Sequence, residues 1–484
     1  MGMAYIVYMS SAAEVSGKIA FSGGSYGLAR ITLGYYCGFI VGFVELLEYV
    51  ASAAVSVSFV GEFVVDMFSW PAWTTFIVWL VFYALVIGLF QLPGRIYWRF
   101  MVLFAIVCLL PTALVVLGSI GGADLGYYGA YGPNATQYNG TGSKVWATGD
   151  MESAFFAWLP YTTWAYAGVE SLTLVTNMAV TPKTTIPRGM LAATWTLFAS
   201  NILLVFLVPS LEPGIATSVN DDYPLSNAMT NLGISDYAAQ WLILPAQMGM
   251  AAGFFLPYTR LTQALANSNL LPPILGLKNQ ASMLKPMTAA SVFGYILCVI
   301  GYMSPAFESA MQNLFILAGT FCYVAQLVGF VMLRTTFHTE TTGYTSPYGI
   351  PGAIFASTVY FFLALAIVGG FQGDDGVAVI ALTVFVSCLS IYYHLVCKTT
   401  QSLSKDEYAC VFKFSIMKYN TLRLKHGRKA RTVTKLTVEK RGLGFLRRGS
   451  GTGSTVIDDL RGNNRNSSSG RNQSFRRSSD QVIH

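Results

Sequence analysis

Residues 100–120, FMVLFAIVCLLPTALVVLGSI, form an apolar run without a charged side chain. A helix rises about 1.5 Å per residue and needs roughly 20 residues to cross about 30 Å of hydrocarbon, so this run predicts a transmembrane helix. Of the 484 residues, 54% are hydrophobic and only 11% are charged, against roughly 25% charged in an average soluble domain. A large soluble core would show amphipathic stripes instead of unbroken runs. The sequence therefore predicts an all-α polytopic membrane protein.

Similar apolar runs recur along the chain and predict about eleven transmembrane helices. They lie at residues 1–16, 34–60, 73–91, 100–120, 153–176, 190–209, 238–258, 287–303, 312–333, 353–370 and 377–396. The chain starts inside the first run, so we expect that span to be incomplete. The spans define a membrane domain at 1–397 and a basic tail at 398–484, in which Ser, Gly and Asn are frequent. Such a tail cannot bury enough apolar surface to fold alone, so we expect it to be disordered.

Basic and acidic residues alternate between successive loops. Lys18, Arg95 and Lys183 represent the basic set, and Glu62 and Asp124 represent the acidic set. Lys and Arg bias loops towards the cytosol. The basic loops and the C-terminal tail are therefore predicted to be cytoplasmic.

The predicted outer loop at 121–152 contains two N-glycosylation sequons, at Asn134 and Asn139. Glycosylation of these positions would agree with the orientation and make the chain a glycoprotein. Such a loop is compatible with the plasma membrane and with endomembranes, and we expect the plasma membrane.

The tail carries 19 Lys and Arg residues against 6 Asp and Glu residues. The stretch 413–448 is predicted to lie on anionic lipid of the inner leaflet, because basic segments beside a membrane are attracted to it. Ser450 and Ser479 each follow paired arginines and resemble sites of basophilic kinases, which predicts phosphorylation there. The alternative is a solvated tail whose charge only sets the orientation of the chain.

Signatures of soluble enzyme chemistry are sparse in this sequence. It contains neither G-x-x-x-x-G-K-[ST] nor H-E-x-x-H, and no Cys and His cluster with metal-ligand spacing. The four histidines lie towards the cytosolic side or in the tail, at His338, His394, His426 and His484. We therefore expect no enzyme, no cofactor, no resident metal and no nucleic-acid partner.

Carboxylates that fall inside predicted spans include Glu45, Glu48 and Glu170. An acid buried in a bilayer costs several kcal/mol, so each one is a functional hypothesis. Glu45 and Glu48 are three residues apart and share a helix face. Two anions that close would repel, which favours a proton on one of them. The alternative is that these acids pair with buried donors and only join helices.

Aromatic and helix-breaking residues alternate in the stretch 155–170, FFAWLPYTTWAYAGVE. Pro160 removes a backbone hydrogen bond and Gly168 permits unusual backbone angles. A helix broken in mid-membrane exposes backbone groups that can bind substrate or ion. We therefore expect a site at Trp164, Tyr166, Ala167, Gly168 and Glu170, where the rings would close over a ligand or attract a cation. The alternative is an aromatic helix packed against its neighbours.

Five segments, in this order and spacing, resemble transporters of the amino acid–polyamine–organocation superfamily, and amino acid permeases in particular. They are FSGGSYGLAR at 21–30, WAYAGVE at 164–170, TPKTTIPRG at 181–189, LANSNLLP at 265–272 and YGIPG at 348–352. The first, third and fourth of these segments resemble the family's loops. The matches span nearly all of the predicted membrane domain.

The resemblance implies twelve helices, ten of them in two inverted repeats of five, with the substrate site between broken helices one and six. The sequence departs from the family pattern at Ala20 and Thr181, where the family has Pro and Asn. Residue 1 matches a position within the family's second helix, so helix one, whose backbone holds the substrate's charged ends, is expected to be missing. The stretch 42–50, GFVELLEYV, resembles ethanolamine permeases most.

Two functions remain open at the level of sequence. The first is secondary active transport of amino acids or a related small amine by alternating access, driven by a gradient of H⁺ or Na⁺. Its predicted substrate-binding residues are Trp164, Tyr166, Ala167, Gly168, Glu170, Glu48 and Glu45. The second is a non-transporting nutrient sensor built on a transporter scaffold, for which the long tail with its kinase-like sites is the cue.

Overall fold

A computed structural model describes residues 1–19, 23–129, 151–218, 223–276, 283–336, 343–373, 375–404, 407–417, 419 and 423. Within these ranges the regular secondary structure is helical and contains no strand. The predicted sequons at Asn134 and Asn139, and the predicted phosphorylation sites at Ser450 and Ser479, lie outside the described residues. The all-α prediction is confirmed.

The helices vary in length from 3 to 33 residues. Their bounds are α1 Gly2–Lys18, α2 Gly24–Thr32, α3 Tyr35–Met67, α4 Thr75–Leu89, α5 Gly94–Ser119, α6 Leu125–Tyr128, α7 Met151–Trp158, α8 Pro182–Leu207, α9 Ile215–Ser218, α10 Pro224–Asn231, α11 Asp236–Gly253, α12 Phe255–Asn267, α13 Leu284–Met303, α14 Pro305–Thr335, α15 Gly349–Val368, α16 Val377–Tyr392 and α17 Lys398–Thr400. A turn of π-helix, Tyr393–Cys397, joins the last two.

Nine helical segments of the described chain are long and apolar enough to cross a membrane. They are Tyr35–Met67, Ala72–Leu89, Gly94–Gly122, Pro182–Ser210, Asp236–Asn267, Leu284–Met303, Pro305–Thr335, Gly349–Val368 and Val377–Thr400. The other two predicted spans fall on α1, which is 17 residues long, and on a segment around 153–176 that is not one continuous helix. The polytopic architecture is therefore confirmed, while the count of eleven spans stays a prediction.

The stretches 21–30 and 181–189, for which the family resemblance predicts loops, are mostly helical where they are described. Residues from Gly24 onward belong to α2, and α8 begins at Pro182. A proline suits the first position of a helix, because its missing N–H would have no partner there. The helix α8 therefore starts eight residues before the predicted span at 190–209.

Helix α3 lies at the core of the membrane domain, since 94% of its most apolar 18-residue stretch is buried. It packs against α2, α4, α11, α12, α13 and α14. Its middle turns carry small residues, Ala51-Ser52-Ala53-Ala54, which let neighbouring helices approach closely. Helices α5, α8 and α16 instead expose apolar side chains such as Leu103 and Val205, as expected of surfaces that face lipid.

The start of the predicted tail is ordered. Residues 407–417 are helical, and the Glu407 carboxylate is buried. It accepts hydrogen bonds from the Arg30 guanidinium of α2 at 2.9 Å and from the Ser268 hydroxyl at 2.6 Å. An ion pair and buried contacts therefore hold the helix at residues 407–417 against the membrane domain, while the disorder of the tail as a whole stays a prediction.

Candidate functional site

The segment after α7 is an interrupted helix. Helix α7 ends at Trp158, a single 3₁₀ turn follows at Tyr161–Thr163, and a longer 3₁₀ segment runs from Val169 to Met178. Between the two 3₁₀ segments, Gly168 has φ of 104°, in the left-handed region. Glycine adopts this conformation without the steric cost of a Cβ. The predicted break of the helix is therefore present, and it ends at Gly168.

Backbone groups freed by this interruption are hydrogen-bonded by side chains. The Gly168 N–H lies 3.1 Å from both carboxylate oxygens of Glu170. The Asn201 amide of α8 donates to the Ala165 carbonyl at 3.0 Å, and the Gln372 amide donates to the Phe156 carbonyl at 2.9 Å. Unsatisfied backbone groups cost several kcal/mol in a membrane, so these contacts stabilise the broken geometry.

Glu170 connects the interrupted segment to α1. Its buried carboxylate accepts a hydrogen bond from the Tyr5 hydroxyl at 2.7 Å. The Tyr5 ring lies 5.3 Å, centroid to centroid, from the ring of Tyr166. Residues on both sides of Gly168 therefore contact the same tyrosine of α1.

Glu48 connects α3 to α14. Its Oε1 atom accepts from the Tyr323 hydroxyl at 2.9 Å, while its buried Oε2 atom has no hydrogen-bond partner among the described residues. The carboxylate fits here because residue 319 is glycine: a Cβ at Gly319 would lie 2.5 Å from Oε1 of Glu48. Gly319 thus provides the space that the acid occupies.

Glu45 belongs to a chain of buried polar groups that crosses four helices. Its Oε1 accepts from the Ser25 hydroxyl of α2 at 2.9 Å, and its buried Oε2 lacks a partner in the described part of the chain. The Gln326 amide of α14 donates to the Ser25 hydroxyl oxygen. The Tyr8 hydroxyl of α1 in turn donates to Oε1 of Gln326 at 3.0 Å. The chain therefore runs from Tyr8 through Gln326 and Ser25 to Glu45.

Four buried tyrosines pack between these acids, at Tyr5, Tyr8, Tyr323 and Tyr360. Ring centroids are 4.8 Å apart for Tyr8 and Tyr323, and 5.4 Å apart for Tyr323 and Tyr360. The Tyr360 hydroxyl is buried and makes no hydrogen bond to any described residue. The centre of the molecule is therefore aromatic and acidic.

No cation balances the three central acids within the described ranges. The ion pairs there are Lys18–Glu14, Arg30–Glu407 and Arg334–Glu14. Glu45, Glu48 and Glu170 instead receive hydrogen bonds from hydroxyls and from the Gly168 backbone. Two oxygens, one on Glu45 and one on Glu48, accept none. Such a group of acids can take up protons or a cationic ligand.

A family model for amino acid permeases matches residues 1–401. The chain belongs to the amino acid permease family. Curated relatives include an uncharacterized transporter of Mycobacterium bovis and two of Mycobacterium tuberculosis, each 26% identical over 271 residues. The alignments cover 54% of this chain and 55% of each relative. The permease thus spans about half the length of the curated relatives it matches.

Solved structures similar to the permease include that of a manganese transporter from Eremococcus coleocola, in complex with an aromatic bis-isothiourea substituted compound. It is 11% identical, with 87% of this chain and 94% of that chain covered and a TM-score of 0.43. A mutant of the same transporter gives a TM-score of 0.42. Likenesses of this size carry no information about what the permease binds. The family assignment rests on the sequence match and supports a transporter rather than an enzyme.

The structure places the predicted aromatic residues of the permease differently from one another. Tyr166 is buried against Tyr5. Trp164 packs its ring 5.3 Å from Phe315 and 5.9 Å from Phe59, so it fills space between α3 and α14. Its binding role stays a prediction.

Ala167 lies beside Gly168, and its N–H donates to the Thr163 carbonyl at 3.1 Å. This N–H already has a backbone partner and is not exposed by the break. Any contact of Ala167 with a ligand would come from its carbonyl or its methyl group.

Sequence reasoning missed the groups that surround the acids. These are Tyr5, Tyr8, Ser25, Tyr323 and Gln326. The sequence signal that could have identified them is a polar side chain inside an apolar run, as at Gln326 within the predicted span at 312–333. Glu14, an acid within the predicted span at 1–16, was also missed; its side chain is buried and pairs with Lys18 at 2.6 Å.

Proposed function

We propose that the permease carries amino acids or a related small amine across a membrane by alternating access, driven by a gradient of H⁺ or Na⁺. One observation supports this most: Glu45, Glu48 and Glu170 are buried without a cation within 4 Å among the described residues. An unpaired buried charge costs several kcal/mol. Each of these acids therefore needs a proton, a metal cation or a substrate ammonium group.

An ethanolamine-like amine suits these surroundings better than a neutral amino acid does. An amino acid brings its own carboxylate, whereas ethanolamine brings an ammonium group alone. The free Oε2 of Glu48 supplies an anionic acceptor. Tyrosine rings nearby, such as Tyr323, add an attractive face for a cation. The substrate we favour is therefore a small amine with Glu48 as its counter-ion.

The interrupted segment would provide the moving part. Gly168, with φ of 104°, lies next to Glu170, whose carboxylate bonds Tyr5 of α1. In transporters with broken helices, one helix bundle rocks against the other around a site at the break. Exchange of a proton or a substrate at Glu170 would change this contact between segments, and so couple binding to movement.

The test is uptake of radiolabelled ethanolamine and of a neutral amino acid into proteoliposomes that contain the full-length permease. An imposed pH gradient and an imposed sodium gradient are compared. We expect Glu48→Gln to lower amine uptake at least 100-fold, because loss of one partner of a buried ion pair costs roughly 3–5 kcal/mol. Neutral amino acid uptake should change much less.

Glu62→Gln is the matched control. Glu62 lies on the same helix, is only partly buried and is 14 residues further along, so its amine uptake should stay within about twofold of wild type. If the Glu48→Gln variant takes up the amine at the wild-type rate, the proposal of an amine substrate loses its basis.

A non-transporting sensor is the second candidate, favoured by the contact of Glu407 with Arg30, which ties the start of the tail to α2. Ligand binding without uptake under either gradient would support the sensor. Uptake that follows one gradient would support the transporter and identify the coupling ion.

A further inference from the structure

The helix at residues 407–417, here called the tail helix, exposes an apolar stripe. Tyr408, Phe412 and Ile416 are 61%, 57% and 46% exposed. Residues four apart lie on one side of a helix. The rings of Tyr408 and Phe412 stack with an interplanar angle of 7° and their centroids 6.2 Å apart, so the two rings form one continuous aromatic patch.

The other side of the tail helix is fastened to the protein. Phe414 is 2% exposed and belongs to the hydrophobic core. Glu407 is held by Arg30 at 2.9 Å and by Ser268 at 2.6 Å. These contacts fix the rotation of the helix about its axis. The stripe therefore faces away from the membrane domain and cannot turn inward without breaking the buried ion pair.

The tail helix begins close to the end of a membrane-spanning segment. That segment ends at Thr400. The Ser402 N–H donates to the Ser268 carbonyl at 3.0 Å, and the Asn269 amide donates to the Ser402 hydroxyl at 2.8 Å. The chain is thus fastened two residues after the span. Only six residues separate Thr400 from Glu407. Even a fully extended chain of this length would place Glu407 at most roughly 25 Å from the end of the span.

Basic side chains accompany the stripe. Lys398, in the last turn of the spanning segment, and Lys413, at the edge of the stripe, are both exposed. Cations beside a membrane are attracted to anionic headgroups. An aromatic stripe with Lys at its margin is typical of helices that lie in the interface between water and lipid.

We propose that the tail helix lies flat in the interface of the same bilayer that the permease spans, with Tyr408, Phe412 and Ile416 among the upper acyl chains. Lys398 and Lys413 contact anionic headgroups. The buried Arg30–Glu407 pair holds the helix at the edge of the membrane domain. This inference rests on the geometry of the tail helix and is independent of what the central site transports.

The test uses the full-length permease with the exposed Cys37 and Cys388 and the partly exposed Cys108 and Cys410 replaced by Ser. An environment-sensitive fluorophore is attached in turn at Phe412→Cys, within the stripe, and at Lys413→Cys, one residue outside it. The protein is reconstituted into vesicles of phosphatidylcholine and phosphatidylglycerol in a ratio of three to one, with nitroxide-bearing acyl chains. Quenching by lipid should be at least threefold stronger at Phe412→Cys.

A second variant tests the stripe residues with the fluorophore attached outside the stripe. With the fluorophore at Ser415→Cys, the double substitution Tyr408→Ser and Phe412→Ser should lower lipid quenching at least threefold. Equal access of aqueous iodide to positions 412 and 413, without lipid quenching, would overturn the proposal. Shielding of position 412 from both quenchers would also overturn it, since protein would then cover the stripe. Equal quenching in pure phosphatidylcholine would overturn the role of anionic lipid.

Discussion

Two groups of buried carboxylates in this permease differ in their partners. Glu14 accepts from Lys18 at 2.6 Å and also pairs with Arg334, while Glu407 pairs with Arg30 at 2.9 Å. These pairs join α1 to α14 and the tail to α2. Each acid is balanced by a cation, so the contacts are explained by cohesion of the fold alone.

The acids in the centre are equally buried and differently surrounded. Glu45, Glu48 and Glu170 are 1%, 4% and 2% exposed, and their donors are hydroxyl groups and one backbone N–H. Burial by itself therefore does not separate a structural acid from a functional one. The charge of the partner offers a criterion, because a buried acid without a counter-ion destabilises the fold, and this supports the proposal that the central acids serve function.

The largest expected effect contrasts the two groups directly. Glu14→Gln should lower the free energy of unfolding by about 3 kcal/mol, since it leaves Arg334 and Lys18 without their counter-ion. Glu48→Gln should leave it within about 1 kcal/mol or raise it, because no cation is abandoned. Thermal unfolding of the purified permease in detergent measures both. A larger loss of stability in Glu48→Gln than in Glu14→Gln would invert the comparison.

A smaller effect is expected from crowding the central group without changing its charge. A methyl group at Gly319→Ala would lie 2.5 Å from Oε1 of Glu48, which forces the carboxylate to move. Overpacking of this kind costs about 1–3 kcal/mol, and amine uptake should fall at least tenfold. Gly88→Ala in α4 is the control, because a Cβ there meets nothing within 4 Å. Equal uptake by both variants would show that the position of Glu48 is unimportant.

The smallest effect tests one hydrogen bond. Tyr323→Phe removes the hydroxyl that donates to Glu48 at 2.9 Å and keeps the ring. A hydrogen bond to a charged group contributes about 1.5–3 kcal/mol. We expect the apparent affinity for the amine to change about tenfold while the amount of folded protein in the membrane stays the same. A variant with unchanged affinity but lower stability would place Tyr323 with the structural residues.

Much of the architecture could be predicted because its causes are local. An apolar run such as 100–120 has few alternatives to a membrane-spanning helix. The interruption around Pro160 and Gly168 follows from the backbone chemistry of those two residues. The helix at residues 407–417 could not be predicted in the same way, because its placement depends on an ion pair between Glu407 and a residue 377 positions away.

Residue types and positions along the chain were sufficient to establish a polytopic helical permease, a broken helix and acids inside its spans. They did not distinguish Glu14 from Glu48, since both are acids within apolar runs. Only the tertiary structure does, because it brings Arg334 to Glu14 across 320 residues and Tyr323 to Glu48 across 275. The free energy of a buried charge depends on the groups within a few ångströms of it, and in a helical bundle those groups come from distant parts of the chain.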